Sequence, residues 1–339
     1  MEPTTVGIDL AKNRFSLHGV DRHGHVVLRK ALSRSALLAF ISQLPPCTIG
    51  MEACSGAHHW ARRFQALGHQ ARIMAPRFVA PYRKGGKNDG NDAEAICEAV
   101  ARPSMRFVPV KSEAQQAILC LHRIRQARLK ERTALINQLR GLLSEFGFIM
   151  PKGRYSAQAQ LPDILEDADN DLPALARRLL SDVHERLRTL NQDLLAYDRE
   201  LEHLAKASAN AQRLMGIPGI GATTATALLA SIGDPGQFRN GRQLAAWLGL
   251  VPRQYTTGGV IRLGRITKQG DKYLRTLLIH GTRAVLATLG EKTDTLSVWL
   301  RQLIERRGYK RACVALAAKN ARIVWALLTR HGDYRAPAT

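Results

Sequence analysis

The stretch Lys87 to Ile96, KNDGNDAEAI, decides how the rest of the chain is read. Asp89 and Asp92 stand three residues apart at the start of a run with helical character, and side chains at i and i+3 share one face of a helix. Both can therefore address one site. Two carboxylates do not satisfy a divalent ion, because hard cations such as Mg²⁺ take several oxygen ligands and keep water for the remainder. The reading needs further acids upstream. The competing reading is structural: Asn91 caps the helix with Glu94 reaching back in an Asn-x-x-Glu box, and acids in a first turn suit the helix dipole.

Upstream, Thr4 to Leu10, Arg14 to Val20 and Val26 to Arg29 read as three strands, with Asp21-Arg22-His23-Gly24 as the turn between the last two. Asp9 ends the first strand where an apolar run meets Lys12 and Asn13. An acid at such an edge is solvated, paired or bound to a cation. Ser33 predicts a helix cap, with the helix running to Leu44 and stopped by Pro45-Pro46. Cys47 to Met51 is a buried-type strand that delivers Glu52, Gly56 to Leu67 a helix, and Gln70 to Met74 another strand. The order βββαβαβα puts Asp9 and Glu52 at strand ends and Asp89 and Asp92 on the next helix.

That order resembles the RNase H and RuvC-like nuclease fold, where acids from the first strand, the fourth strand and a late helix meet at one sheet edge. The motifs GIDLAK around Asp9, GMEACSG around Glu52 and KNDGNDA around Asp89 and Asp92 resemble those of the DEDD transposases. These belong to a large bacterial insertion-sequence family that includes the Piv DNA invertase and the bridge-RNA-guided recombinases. The likeness runs from Val6 to about Leu328. It implies Mg²⁺ or Mn²⁺ held by Asp9, Glu52, Asp89 and Asp92, and a serine nucleophile from the segment aligned with QYTTGG. It also implies a covalent protein–DNA ester, strand exchange and religation, with a structured non-coding RNA acting beside donor and target DNA. This chain departs from the pattern at the nucleophile: Thr256 and Thr257 precede Gly258, and no serine stands in the motif. A β-branch stiffens χ1 and crowds an in-line approach. Attack by Thr257 or Thr256, cutting by metal-activated water, and an impaired copy all stay open.

From Ser112 to Phe146 the spacing of Leu135, Leu139, Leu142 and Phe146 predicts a helix. Leu180, Val183, Leu187, Leu190, Leu194, Tyr197, Leu201 and Leu204 then alternate by three and four, a coiled-coil seam that serves either an intramolecular hairpin or a dimerisation arm. Pro151 to Asp171, between them, reads as polar loop. Leu214 to Asp234 contains Gly-Ile-Pro-Gly-Ile-Gly and looks like a helix-hairpin-helix turn, in which Gly219 and Gly221 expose N–H groups to a phosphate. Gln243 to Leu250 reads as helix. In Val251 to Arg275, Arg253, Arg262, Arg265, Lys268 and Lys272 are interleaved with Tyr255, threonines and glycines, which suits a phosphodiester held close to the chain. Ala312 to Thr329 is the clearest of the closing helices, and Tyr334 to Thr339 reads as a frayed tail.

The fold expected is thus α/β plus all-α: a RuvC-like DEDD domain over 1–110, a helical coiled-coil arm over 111–209, a basic helical domain with the hairpin motif over 210–332, and a tail over 333–339. The 339 residues carry 50 Lys and Arg against 28 Asp and Glu, a net charge of +22, which points to a polyanionic partner and above all nucleic acid. The five cysteines at 47, 54, 97, 120 and 313 make no CxxC pair and suggest neither zinc ribbon nor disulfide framework. His58-His59 and His23-x-His25 lack partners at metal spacing. With no leader-like start and no run of about 18 apolar residues, the expectation is a soluble intracellular protein with no membrane partner. The family resemblance implies the bacterial cytoplasm and a homo-oligomer, a dimer or tetramer. The rivals are a junction-resolving or repair nuclease using activated water, an actin-like kinase, whose second Gly-rich phosphate loop has no counterpart here, and a non-catalytic nucleic-acid binder.

Overall fold

The computed structural model of the protein describes residues 2–86, 88–151, 153–330 and 332–335, and of 154–158 only the backbone. The chain divides into two compact units, Met1–Ser112 and Glu113–Thr339.

In the first unit β1 (Thr5–Asp9), β2 (Arg14–Val20) and β3 (Val26–Ser33) form an antiparallel meander, followed by α1 (Arg34–Ile41). Then come β4 (Thr48–Glu52), α2 (Ala57–Ala66), β5 (Gln70–Met74), a short α3 (Pro76–Val79), α4 (Asp89–Val100) and a two-residue β6 (Phe107–Val108). The sheet order is β3-β2-β1-β4-β5-β6, with β4 parallel to β1, β5 parallel to β4 and β6 antiparallel to β5. Ser33 caps α1 as its sequence suggests, accepting the N–H of Ala36, though α1 stops at Ile41 and β3 extends to Ser33. The edge strand β6 was not expected, since two residues carry no periodicity to read.

Alternation along the central strands sorts the sheet into two faces. Val6 and Ile8 of β1 and Ile49 and Met51 of β4 pack with Phe15, Leu37, Ile41, Trp60 and Phe64 in one core. Gly7 and Gly50 turn the other way, toward α4. A methyl at Gly7 would sit 2.3 Å from the Ala93 carbonyl oxygen and 2.4 Å from the Cys97 nitrogen; one at Gly50 would sit 2.8 Å from Val100 Cβ. The helix therefore lies directly on strand backbone, and Cys97 Sγ donates to the Thr5 carbonyl at 3.6 Å.

The cap of α4 differs from expectation. Asn88, with φ −151°, is the N-cap, and its Oδ1 accepts the N–H of Asn91 at 2.8 Å. Asn91 lies inside the first turn and donates its side-chain amide to the Gly86 carbonyl, while Glu94 faces Lys84 at 3.6 Å instead of reaching back. The Asn91 box is thus corrected: the helix starts three residues earlier and Asn88 already satisfies the orphan N–H. Lys87 lies outside the described residues.

The second unit opens with a pair of long helices, α5 (Glu113–Ser144) and α7 (Ala174–Lys206), joined through α6 (Arg154–Glu166). The long pair runs antiparallel, with Arg125 Nε donating to Asp198 at 2.6 Å and Arg132 donating to Asn191 at 3.1 Å. On the seam, Leu180, Leu187, Leu190, Leu194 and Leu201 are buried inside this unit, so the stripe is covered by the chain's own helices. The expected loop from Pro151 to Asp171 is corrected to a helix. Leu161 is buried with Ile164 and Leu165 in the core under α5 and α7, and that apolar stripe carries the helix despite Pro162 within it.

The chain continues through α8 (Ala209–Met215), α9 (Ala222–Ile232) and α10 (Gly241–Trp247), then β7 (Pro252–Thr257) and β8 (Val260–Ile266) as a two-stranded sheet. It ends in α11 (Lys272–Ala287), α12 (Thr295–Arg307) and α13 (Tyr309–Arg330). Helices α8 to α11 and α13 share one core, and α11 to α13 a second. Long and apolar enough to cross a membrane by length and composition, α13 has half of that span buried, with Leu316, Val324 and Leu328 in those cores. Tyr334 packs on the larger core instead of fraying, and residues 336–339 lie outside the described chain.

His122 of α5 is a buried tie within this unit. Thr226 Oγ1 gives its proton to the Ala222 carbonyl at 2.8 Å, so it accepts from His122 Nε2 at 3.1 Å, and His122 Nδ1 accepts from the Tyr273 hydroxyl at 3.0 Å. Both ring nitrogens are satisfied in the neutral form, and burial with the nearby Arg125 charge pushes the imidazole down to about 4.

Three outcomes follow from these contacts. Gly7→Ala is expected to cost about 3 kcal/mol or more in urea unfolding, because the methyl meets backbone that cannot give way. Gly141→Ala, on open helix with nothing within 4 Å, gains about 0.5–1 kcal/mol. The folded value of His122 lies below its unfolded one, so its contribution is complete above pH about 6.5 and is lost as pH falls toward about 4. Between pH 7.5 and pH 5 the wild type should lose about 2 kcal/mol more than His122→Gln in parallel denaturant titrations.

Candidate active site and exposed basic hairpin

The parity that turns Gly7 and Gly50 toward α4 turns Asp9 and Glu52 the same way. The β1–β4 register pairs Ile8 with Met51, so the next residues on each strand, Asp9 and Glu52, come level on adjacent strands about 4.8 Å apart. The helix runs against β1, with Cys97 over Thr5 and Ala93 over Gly7. Two residues further along the strand match roughly one further helical turn, which brings the first turn of α4, with Asp89 and Asp92, toward the same edge. Asp9, Glu52 and Asp92 are half-buried and Asp89 is exposed.

The four acids are not equivalent. Asp92 pairs with Arg83, its Oδ1 at 3.1 Å from Arg83 Nε. Partial desolvation, then the charges of Asp9 and of Glu52, push up the Cys54 thiol just beyond β4, so both strand-end carboxylates bear on one point. Among the described residues no group of three or more His, Cys, Asp or Glu lies close enough to hold a metal ion. Strand register and helix position put the acids along one sheet edge, and they do not close into a cage. The donors are hard oxygens of the kind Mg²⁺ and Mn²⁺ take, with Asp9 and Glu52 as the paired ones and Asp92 held by a guanidinium.

In the second unit β7 and β8 form a hairpin whose residues are exposed along nearly their whole length. Gly258 and Gly259 have φ of 56° and 78°, a two-residue turn that only such backbone allows. The register pairs Thr257 with Val260, Thr256 with Ile261, Tyr255 with Arg262 and Gln254 with Leu263. Opposed residues share a face, so Tyr255, Thr257 and Arg262 lie on one side, with the Tyr255 ring over Gly264. Thr256 lies on the other side with Ile261 and Leu263, and its hydroxyl accepts from Gln254 Nε2 at 2.9 Å.

Arg253, Arg262 and Arg265 project from this hairpin and Lys268 and Lys272 from the segment behind it, all exposed. Lys268 is held at φ 54° while its N–H donates to the Gly249 carbonyl. The two expected phosphate-binding glycines separate: a methyl at Gly219 would strike Gly281 of α11 at 2.9 Å, which makes it a packing contact, whereas Gly221 is exposed at the start of α9. Sequence reading missed the hairpin, although Gly-Gly between two β-rich runs is its signal, and missed Arg83, visible only as part of a basic run before the acids.

Two family models match. One, described as Transposase of the DEDD_Tnp_IS110 type, covers residues 6–148, and one described as Transposase IS116/IS110/IS902 family covers 211–296. A probable family 20 transposase of Pseudomonas aeruginosa is 52% identical over 336 residues, 99% of each chain. This chain belongs to the IS116/IS110/IS902 transposase family. The transposase for insertion sequence element IS1111A of Coxiella burnetii is 45% identical, covering 98% of this chain and 92% of the relative. The transposase for IS1328 of Yersinia enterocolitica is 42% identical over 96% and 97%. As a member of this transposase family the protein is an enzyme that cuts and rejoins DNA. The acidic edge falls in the first matched region and the hairpin in the second.

The carboxylates beside Cys54 give this transposase a local reporter. Asp9→Asn or Glu52→Gln removes a charge that disfavours the thiolate, so Cys54 should alkylate about twofold faster near pH 8, read by mass spectrometry with Cys120 as the internal standard.

Proposed function

We propose that the protein carries out metal-dependent cleavage and exchange of DNA strands at the ends of an insertion sequence, through a covalent threonine ester. The observation that carries this reading is the placement of Asp9 and Glu52 level on adjacent parallel strands, with the acidic first turn of α4 approaching the same edge. Asp9, Glu52, Asp89 and Asp92 would hold Mg²⁺ or Mn²⁺, with Asp92 exchanging Arg83 for the cation. When bound, the ion would draw charge from phosphate oxygens as it builds up.

Thr257 is the preferred nucleophile because its face of the hairpin carries Arg262 and Tyr255 beside Val260, suited to a phosphodiester, whereas Thr256 shares its face with Ile261 and Leu263 and its hydroxyl already accepts from Gln254. Its Oγ1 forms a bond to phosphorus as the bond to the leaving strand's oxygen breaks, and the hydroxyl proton ends on that leaving oxygen. One ester replaces another, so the bond energy is kept for religation and no nucleotide is consumed. Arg253, Arg262, Arg265, Lys268 and Lys272, with Gly221 at its helix start, would contact phosphates; Gly219 acts through the fold.

The division of labour follows the domains read from sequence: catalysis in 1–110, a helical arm in 111–209 and DNA handling in 210–332. Donor and target DNA are the substrates. A structured non-coding RNA as guide, a homo-oligomeric assembly and a place in the bacterial cytoplasm rest on the family likeness and the +22 charge.

Alanine at Asp9, Glu52, Asp89 or Asp92 should abolish strand cleavage on a substrate carrying the element's ends, with DNA affinity within about threefold of wild type. Loss of affinity with retained cleavage would sink this assignment. For the nucleophile, Thr257→Ala should eliminate the protein–DNA adduct on denaturing gels and Thr256→Ala should retain it. Cleavage without any adduct in the doubly substituted protein would point to water as the attacking group.

A further inference from the structure

Away from the hairpin, α10 and α13 border an open cleft of about 320 Å³ that nothing in the preceding reading uses. Asn240, Arg242, Arg322, Trp325, Ala326 and Arg330 line it, and no carboxylate does. All three arginines are exposed, and none has an ion pair among the described residues. The chain between Asp234 and Asp271 is itself free of acidic residues.

The convergence is built in. Arg322 and Arg330 are eight residues apart on α13, about two turns, and so share a strip of its surface with the small Ala326 between them. Gly241 lets the start of α10 press on that strip: a methyl there would lie 2.8 Å from Arg322 Cα. Trp325 Nε1 donates to the Phe238 carbonyl at 3.0 Å and pins the segment leading into α10. Arg242 follows Gly241 and is therefore held across from Arg322. Asn240 uses its Oδ1 to cap α10, which leaves its amide NH₂ as a further donor.

Three like charges facing one cleft repel each other, so the arrangement gains from an anion. A guanidinium offers a planar fork that matches phosphate oxygens, and a strip about 12 Å long spans more than one phosphate of a strand. The geometry points to a second nucleic-acid site in this cleft, distinct from the β7–β8 hairpin, that takes successive phosphodiesters of a bound strand. This rests on the reading that the protein acts on nucleic acid, and it adds where a second segment of strand is held.

The test uses the full-length protein with Arg322→Gln/Arg330→Gln, Arg242→Gln, the hairpin pair Arg253→Gln/Arg262→Gln, and Arg199→Gln on α7 as a surface control. Fluorescence anisotropy measures binding to a duplex of about 30 base pairs and to an RNA stem-loop, from about 50 to about 300 mM salt. The double cleft variant should lower the salt slope by about 1.8 on duplex DNA, or by about 1.4 if the strand is single, with affinity at the lowest salt down about tenfold or more. Arg322→Lys/Arg330→Lys should restore most of the slope, and thermal melting by circular dichroism should match wild type. A loss confined to DNA or to RNA supports the site and identifies its strand. Unchanged slopes on both probes, with the hairpin pair still lowering them, would overturn the cleft assignment alone. Unchanged slopes for both sets would overturn the nucleic-acid reading with it.

Discussion

The first unit depends on one close approach, α4 lying on the backbone of β1 and β4. Ordinary strand side chains would hold a helix about 10 Å above a sheet, but Gly7 and Gly50 remove that spacer and let the helix down until its backbone touches the strands. The same parity that points these glycines at α4 points Asp9 and Glu52 there as well. The glycines that admit α4 and the acids at the strand ends are therefore placed by one alternation, and a helix cap at Asn88 sets where the acidic first turn begins. Arg83 pairs with one of the four carboxylates at that edge.

Much of this unit was legible because strands read in periods of two and the acids end apolar runs. β5 has the bounds its sequence suggests, and the order of elements up to β5 is as expected, whereas the short α3 between β5 and α4 was not read from the sequence. The cap was misplaced because Asn88 and Asn91 are both good caps and nothing local chooses between them; the chain entering from Gly86 does. What remained hidden depends on distance. Arg83 meets Asp92 through the turn after α3, and Arg242 meets Arg322 only because α10 docks on α13. The α6 helix was hidden for another reason: Pro162 reads as a breaker, and only the burial of Leu161 outweighs it.

The second unit shows how the same pattern language serves inward and outward faces. The seam on α7 is continuous enough to serve a partner chain, yet its leucines are covered within the unit, because a three-four repeat specifies a helical neighbour without saying whose. Ile261, Leu263 and Tyr255 do the opposite, standing 58–65% exposed on a ribbon of two strands. Such a ribbon is marginal alone and gains order on contact with something larger. A glycine pair at its tip and a lysine at positive φ behind it fix the direction in which it projects.

The backbone contact at Gly7 bears on how such elements age in genomes. Copies of an insertion sequence drift once they no longer move, and a survey that scores them by their acids alone treats the glycine as filler. A copy with alanine there would keep all four carboxylates while a methyl stood between α4 and the strand backbone. The absent side chain at position 7 thus carries information that a search for acids alone passes over.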